Sequence, residues 1–187
     1  LCNIEPLLNI PTDIRCFNTI GELFRFAILK HNGIVIHASA VNYDGNGIIF
    51  SAPSGTGKST HTGLWKKYYS DKTTIINDDS PAVRVIDNKP TVFGTPWSGK
   101  TEINSNQEVP LRAIVFLQQS KENSIRKIHG MEAISRLLNE TRIPVFEEMT
   151  THVLDMTDYL ISNVPIYLLS CNISREAVDL VKNTLEI

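Results

Sequence analysis

Residues 51–60, with the sequence SAPSGTGKST, combine the residue types that bind a polyphosphate. Glycines in such a loop allow backbone N–H groups to surround an anion, and the N-terminus of a following helix adds positive partial charge. The Lys58 ammonium can reach the β- and γ-phosphates, and the Ser59 hydroxyl can bind Mg²⁺. We therefore predict that a nucleoside triphosphate binds here through these residues: Ser54, Gly55, Thr56, Gly57, Lys58, Ser59 and Thr60.

The neighbouring sequence predicts a strand, a loop and a helix in that order. The apolar run 47–50 precedes the loop, and residues 58–69 are predicted to form a helix. The usual form of this motif begins with glycine, whereas Ala52 stands at that position here. Because alanine adds only a methyl group, we expect the loop to keep its shape.

Asp78 and Asp79 follow the next apolar segment, residues 73–76, which is predicted to be a strand. Phosphoryl transfer needs oxygen ligands for a metal ion and a group that positions or deprotonates the acceptor. Neighbouring strand residues point in different directions, so one carboxylate can reach Mg²⁺ and the other the acceptor. The alternative is a structural turn, because Asp-Asp-Ser-Pro is also a typical turn sequence.

Two further segments contain residues that can serve the same site. His37 lies on the strand before the loop, and strand pairing would bring it close enough to hold a carboxylate or change its proton affinity. In residues 94–100, Lys100 can neutralise phosphate charge and Trp97 can stack on a base or a peptide. The alternatives are a half-buried structural histidine and a surface loop anchored by its tryptophan.

The cysteine and histidine content gives no sign of a structural metal site. Cys2, Cys16 and Cys171 are odd in number and include no CxxC pair, which indicates a reducing compartment. We therefore predict a cytoplasmic protein without structural zinc. The remaining histidines lack metal-ligand spacing and are predicted at surface or helix-cap positions: His31, His61, His129 and His152.

The composition is that of an ordinary globular domain. Of the 187 residues, 42% are hydrophobic and 20% are charged. We predict a single domain over residues 1–187, with a core at about 19–128 and C-terminal helices and a strand in 130–187. The net charge of −2 argues against nucleic acid as a partner. No apolar run reaches the roughly 20 residues that span a bilayer, so we expect no membrane partner.

The order of elements predicts an α/β fold with a mixed, largely antiparallel sheet and helices packed on it. Residues 34–41 and 48–51 are predicted strands. The turn residues 43–47 between them are too few for a parallel crossover, so the two strands should form an antiparallel hairpin.

Other elements follow from local patterns. Thr19 and Glu22 form a capping box at the start of a helix that ends at Asn32-Gly33. Ser174 is predicted to cap the last helix. The remaining predictions are strands at 82–86, 91–93, 111–117, 124–128 (paired with 111–117) and 166–169, helices at 131–138, 151–161 and 174–185, and irregular structure at 1–18 and 94–110.

Several of these features together resemble the catalytic domain of HPr kinase/phosphorylase and its smaller relatives. The matching segments lie between about residues 34 and 117: the His37 strand, the turn 43–47, the segment 48–59, IINDDS at 75–80 and LRAIVFL at 111–117. The same core resembles ATP-dependent phosphoenolpyruvate carboxykinase. The resemblance implies the fold of these enzymes, a P-loop fold with a mixed sheet flanked by helices.

The resemblance also implies an activity, that of an ATP-dependent kinase which transfers the γ-phosphoryl group to a serine hydroxyl. By position, residues 55–60 would hold the phosphates of ATP, and Ser59 would bind Mg²⁺ with one of the two aspartates, for which we take Asp78. One of the two aspartates would be the base. Family members assemble into rings, which implies a homo-oligomer. The residues with implied catalytic roles are His37, Lys58, Asp78 and Asp79.

The acceptor is expected to differ from HPr. Family members that act on HPr contain a glycine-rich signature, roughly Glu-Ile-Arg-Gly-Leu-Gly, where this chain has the loop 97–100. That loop instead resembles the one in short HPr-kinase-like proteins found beside peptide-maturation systems. We therefore expect the acceptor to be a serine of a small protein or peptide.

Three other functions share part of this pattern. A nucleotide-driven switch or assembly ATPase would use the same loop and an aspartate that orients water, without a phosphorylated acceptor. A carboxykinase-like enzyme on a small acid would need an arginine-lined pocket and transition-metal ligands, and the sequence shows no obvious set of either. A degenerate domain retained for binding is favoured by Ala52 but opposed by the intact set Lys58, Ser59, Asp78 and Asp79.

Overall fold

The computed structural model describes residues 11–187. The chain forms helices α1 (Thr12–Ala27), α2 (Lys58–Tyr68), α3 (Gly130–Asn139), α4 (Glu147–Asn163) and α5 (Arg175–Leu185), with 3₁₀ turns at Ile28–His31, Ser70–Lys72 and Gly99–Thr101. Its strands are β1 (Gly33–Val35), β2 (Ala38–Tyr43), β3 (Asn46–Ser51), β4 (Thr73–Asn77), β5 (Ala82–Ile86), β6 (Lys89–Phe93), β7 (Glu108–Gln119), β8 (Ser124–Lys127) and β9 (Ile166–Cys171). No helix within this range is both long and apolar enough to cross a bilayer.

The strands form one curled, mixed sheet with helices on both faces. The order is β1-β5-β6-β7-β3-β2-β4, and β9 and then β8 extend from β7. β7 is parallel to β3 and to β9, and the other pairings between the described strands are antiparallel. The prediction of a mixed, largely antiparallel sheet flanked by helices is therefore confirmed.

The two faces of the sheet are covered by different helices. Along β3, Ile48 and Phe50 pack in a core with α2 and α5, whereas Ile49 packs in a core with α3 and α4. This alternation is the period-two pattern of a strand. All three side chains are fully buried, so β3 is held between two cores and the loop that follows it starts from a fixed point.

The predicted hairpin is present, but its first strand is shorter than expected. β2 and β3 pair antiparallel across a turn in which Asp44 and Gly45 have positive φ. The predicted strand 34–41 is two strands, because β1 pairs with β5 whereas β2 pairs with β3 and β4. The chain bends between them at His37, whose amide donates to the Glu140 carbonyl oxygen at 2.8 Å.

α1 begins earlier than the sequence predicted. The helix opens at Thr12, so the prediction of irregular structure is wrong for residues 12–18, and residues 1–10 lie outside the described part of the chain. Thr19 lies inside the helix and caps nothing. The apolar residues of α1 do not mark its buried side, since Ile20 and Leu23 are 57% and 63% exposed.

The pairing predicted for residues 124–128 is also wrong. These residues contain β8, which pairs with β9 and not with β7. The reason is that β9 runs parallel to β7 and occupies the edge that β8 would need. Ser174 does cap the last helix, as predicted, since its side chain accepts a hydrogen bond from the Ala177 amide.

Candidate active site

The glycine-rich loop, residues 52–57, connects β3 to α2. Gly55 and Gly57 have φ of 82° and 115°, values that glycine adopts readily and other residues rarely do. A Cβ atom at Gly55 would have no neighbour within 4 Å, so open space lies beside the loop. α2 starts at Lys58 without a side-chain cap, which leaves its first-turn N–H groups without a partner from the helix itself. A loop of this kind can surround an anion.

Ala52, which departs from the usual motif, does not disturb the loop. The residue is fully buried in the core between the sheet and α2. Its carbonyl oxygen accepts a hydrogen bond from Lys58 Nζ at 2.8 Å. The extra methyl group is therefore absorbed by the core, and the space beside Gly55 stays open.

Lys58 lies beneath the loop, with 8% of its surface exposed. Besides Ala52, its Nζ contacts His37 Nε2 at 3.0 Å. Burial lowers the pKa of the Lys58 ammonium, and the neighbouring carboxylates, Glu140 first, oppose that shift. Lys58 is thus a nearly buried cation placed between the loop and a group of acids.

His37 is fixed on two sides by its ring nitrogens. Nδ1 lies 2.7 Å from Glu140 Oε2, and Nε2 faces Lys58 Nζ. Because a lysine ammonium has only donors, Nε2 is the acceptor and the ring proton is assigned to Nδ1, which donates it to Glu140. The Glu140 side chain is only 9% exposed. Glu140 therefore sets both the tautomer and the orientation of His37.

Asn77 makes the turn that separates the two aspartates. Its Oδ1 accepts from the amides of Asp79 and Ser80 at 2.9 and 2.7 Å, which ends β4. Asp78 is 5% exposed, and its Oδ1 accepts from the Ser39 hydroxyl at 2.7 Å. The Asp79 side chain is 38% exposed. The segment therefore forms a turn, and this turn separates the two carboxylates: the Asp78 side chain is buried and the Asp79 side chain is exposed.

Asp79 is held in place by hydrogen bonds that begin on α1. Ser80 Oγ donates to Asp79 Oδ2 at 2.8 Å, and Arg25 Nη2 donates to Ser80 Oγ at 2.7 Å. The other oxygen, Asp79 Oδ1, lies 3.8 Å from His37 Nε2. One oxygen of the carboxylate is therefore anchored, and the other is directed toward the histidine.

One cleft of about 600 Å³, which we call the loop cleft, gathers most of the predicted residues. The predicted residues that line it are His37, Ser54, Gly55, Gly57, Lys58, Ser59, Thr60, Asp78, Asp79 and Lys100. Thr56 does not line it; the Thr56 carbonyl oxygen accepts from Gln119. Lys100 is exposed and takes part in none of the ion pairs found among residues 11–187.

Trp97 is anchored on α1. Its ring stacks on Phe24 with centroids 5.2 Å apart, and its Nε1 donates to the Phe17 carbonyl oxygen at 3.0 Å. Gly21 permits this approach, because a Cβ atom there would lie 2.7 Å from Trp97 Nε1. The loop is therefore anchored by its tryptophan, which is one of the two interpretations that the sequence left open.

His61 is a core residue, so the predicted surface or cap position is wrong for it. It is 3% exposed, its ring lies against Phe50, and its Nε2 accepts from Trp65 Nε1 at 3.3 Å. Burial lowers the pKa of His61 to about 4. The start of α2 at Lys58 turns this position toward the sheet. The imidazole is therefore neutral at physiological pH.

Four polar residues complete the site without having been assigned from the sequence. Ser80 follows the aspartate pair directly, so its position in the turn could have identified it as a site residue. Ser39 lies two residues after the predicted His37, whereas Arg25 and Glu140 lie on distant segments that no local pattern identifies. The four residues are Arg25, Ser39, Ser80 and Glu140.

Comparison with known proteins gives a family and a structural neighbour. The sequence profile of one family, described as SynChlorMet cassette protein ScmC, matches residues 1–186. No match was found among curated proteins. Among solved structures, the HPr(Ser) kinase/phosphatase from Coxiella burnetii is similar with a TM-score of 0.46 and 14% identity, over 80% of this chain and 89% of that chain.

Proposed function

We propose that the chain, which belongs to the ScmC family, is an ATP-dependent phosphotransferase that transfers the γ-phosphoryl group to a serine hydroxyl of a small protein or peptide. One observation carries this proposal: the glycine-rich loop lines the same cleft of about 600 Å³ as Asp78 and Asp79. Phosphoryl transfer depends on positioning and on charge stabilisation, so it requires a phosphate-binding element and carboxylates that face one space.

The residues of the loop cleft fit a triphosphate with Mg²⁺. The open space beside Gly55 and the first-turn amides of α2 offer hydrogen-bond donors to phosphate oxygens. Lys58, on a flexible side chain, can turn toward the β- and γ-phosphates, and Lys100 adds a cation on the rim. Mg²⁺, held by Ser59 and Asp78, would neutralise charge on the phosphate oxygens.

In this proposal Asp79 is the base and Asp78 is on the metal side. Asp78 is nearly buried and already accepts from Ser39, whereas the Asp79 side chain is open to the cleft. The acceptor oxygen forms a bond to the γ-phosphorus while the bond from that phosphorus to the β,γ-bridging oxygen breaks. ADP leaves with that electron pair, and the hydroxyl proton passes to Asp79.

His37 assists Asp79 as a proton acceptor. Glu140 keeps the His37 proton on Nδ1, so that Nε2 is an acceptor in the cleft. Once Lys58 turns to the phosphates, the nearest acid to Nε2 is Asp79, whose Oδ1 lies 3.8 Å away. Nε2 can then share the proton that Asp79 receives.

The direct test incubates the protein with γ-labelled ATP, Mg²⁺ and a library of serine-containing peptides, and locates the label by mass spectrometry. We expect label on serine with the wild type. Asp79→Asn should lower transfer by at least about 100-fold because it removes the base, while ATP affinity stays within about threefold. Asp155→Asn, which neutralises an exposed carboxylate on α4, is the matched control and should transfer normally.

Two results would contradict the proposal. Hydrolysis of ATP without a labelled acceptor, either in the library or in a cell extract, would favour a switch or assembly ATPase. Failure to bind ATP at all would favour a domain retained for another kind of binding.

A further inference from the structure

We propose that the acceptor enters a second cleft that meets the loop cleft at Asp79, and that it is a serine in a peptide segment with a neighbouring lysine or arginine. This inference rests on the proposed function, because it names the substrate class of the same site. The second cleft, which we call the tryptophan cleft, has a volume of about 710 Å³ and lies between α1 and residues 96–104.

The two clefts share three residues, namely Asp79, Ser98 and Gly99. Gly99 has a φ of 66°, and a Cβ atom there would lie only 3.0 Å from Asp79 Cβ. The backbone at Gly99 is therefore packed directly against the carboxylate, with no side chain between them. A hydroxyl that enters from the tryptophan cleft can reach the same carboxylate that faces the loop cleft.

The tryptophan cleft also contains the groups that orient Asp79. Arg25 and Ser80 line it, and their hydrogen bonds end on Asp79 Oδ2. These bonds leave Oδ1 without a hydroxyl donor from this network, so Oδ1 is the oxygen that can accept a proton from a substrate. The cleft is thus tied to the chemistry of Asp79 by hydrogen bonds as well as by proximity.

The charge balance of the tryptophan cleft favours an acceptor with a cationic neighbour. Glu22, Asp79 and Glu102 line it together with one cation, Arg25. Glu22 is paired with Arg25 at 3.7 Å and with Arg142 at 3.3 Å. Glu102, by contrast, is exposed and occurs in none of the ion pairs found within residues 11–187. An acceptor ammonium or guanidinium would find its partner at Glu102.

One side of the tryptophan cleft is aromatic and suits a long aliphatic side chain. Phe17 is 46% exposed, and its ring centroid lies 5.7 Å from that of Trp97. Because the indole is held by Phe24 and by its own hydrogen bond, it offers a fixed surface. The stem of a lysine or arginine can pack on such rings while its charged end reaches a carboxylate. The amides of Asn18 and Asn104 offer partners for a peptide backbone.

The test measures which peptides the immobilised full chain retains in the presence of Mg·ADP. The probe is a library of short peptides with a central serine and degenerate flanking positions. We expect retained peptides to be enriched about fivefold in lysine or arginine at one position. This factor corresponds to the binding free energy of a partly exposed ion pair. Glu102→Lys should abolish this enrichment, while nucleotide affinity stays within about twofold.

Two further variants guard against indirect effects. Glu122→Lys makes the same charge change at an exposed position outside both clefts and should retain the wild-type selection. Glu102 has a φ of 56°, so Glu102→Gly removes the carboxylate in a backbone conformation that glycine adopts easily. It should lose the enrichment with an unchanged melting temperature.

The inference is overturned if no peptide is retained, or if wild type and Glu102→Lys retain the same composition, even when transfer to another acceptor is measured. Failure of the proposed function looks different, since it removes nucleotide binding or transfer in the wild type itself. Peptide selection therefore tests this inference, and nucleotide binding and transfer by the wild type test the proposed function.

Discussion

The glycine-rich loop and the acid–histidine cluster face each other across one cleft but are built in different ways. The loop consists of consecutive residues, with an internal turn from the Thr56 amide to the Pro53 carbonyl oxygen and open space beside Gly55. The cluster draws its members from three separate segments: His37 is hydrogen-bonded to Glu140, Asp79 Oδ1 lies 3.8 Å from His37 Nε2, and Asp78 is held by the Ser39 hydroxyl. Its members are His37, Asp78, Asp79 and Glu140.

This difference indicates a division of roles. The loop has room to adapt to a ligand, whereas the cluster is ordered in advance and holds its proton-accepting groups at fixed positions. Substitutions should therefore separate ATP affinity from the rate of transfer. The predictions below test that separation.

Lys58→Ala should have the largest effect because Lys58 contacts both regions, through Ala52 and through His37. We expect transfer to fall by at least about 1000-fold and ATP affinity by about tenfold, since the substitution removes charge from both the ground state and the transition state. Labelled transfer and calorimetric titration measure the two quantities. Lys67→Ala, at an exposed position on the same helix, is the control. Normal transfer by Lys58→Ala would contradict the role of Lys58 as the residue that connects the loop to the cluster.

His61 tests the core between the sheet and α2, which holds the glycine-rich loop. Here we expect an effect on the free energy of unfolding and not on activity. Its folded-state pKa is about 4, against about 6.5 in an unfolded chain. Between these values the unfolded state binds the additional proton, so the free energy of unfolding falls as the pH is lowered. The expected loss is about 1.4 kcal/mol per pH unit and about 3 kcal/mol in total.

Urea unfolding at several pH values measures the His61 contribution. Other groups also titrate in this range, so the informative quantity is the difference between wild type and His61→Gln. That difference should change steadily between pH 6.5 and pH 4. Parallel curves for the two proteins would show that the histidine is not buried as described.

The pair His37–Glu140 tests the cluster alone. His37→Ala should slow transfer by about 30-fold, and Glu140→Gln by about tenfold, because a proton acceptor or its orientation is lost. ATP affinity should remain within about threefold, since neither residue belongs to the loop. Glu148→Gln, which neutralises an exposed acid on α4, should behave as wild type. An unaltered rate of transfer in His37→Ala would show that His37 has only a structural role.

Ser80→Ala tests the anchoring of Asp79 and should have the smallest effect. The variant releases Asp79 Oδ2 and breaks the connection to Arg25. We expect kcat to fall about fivefold with KM for ATP unchanged, because the Asp79 carboxylate itself loses one hydrogen bond. Ser124→Ala, at an exposed position on β8, is the control. A change in KM alone would place Ser80 in substrate binding.

The loop was predictable from the sequence because its determinants are local. Gly55 and Gly57 supply the positive φ values, and the start of α2 at Lys58 follows from the motif. The hairpin was predictable for a similar reason, since Gly45 lies in a turn too short for a crossover. These features depend on neighbouring residues and need no knowledge of the tertiary structure.

The cluster was only partly predictable because its partners are distant in the chain. His37 and Glu140 are separated by 103 residues, and Arg25 and Ser80 by 55. The bend at His37 interrupts a mostly apolar segment, and it arises because β1 and β2 pair with different strands. Such a change of partner has no local signature.

The central claim is that the loop and Asp79 face the same phosphoryl group. A crystal structure of the protein with Mg²⁺ and a non-hydrolysable ATP analogue tests it most directly. We predict that the phosphates lie on the N–H groups of residues 55–60, with the terminal phosphate between Lys58 and Asp79. An analogue that binds elsewhere at saturating concentration, or that leaves its terminal phosphate out of reach of Asp79, would contradict it.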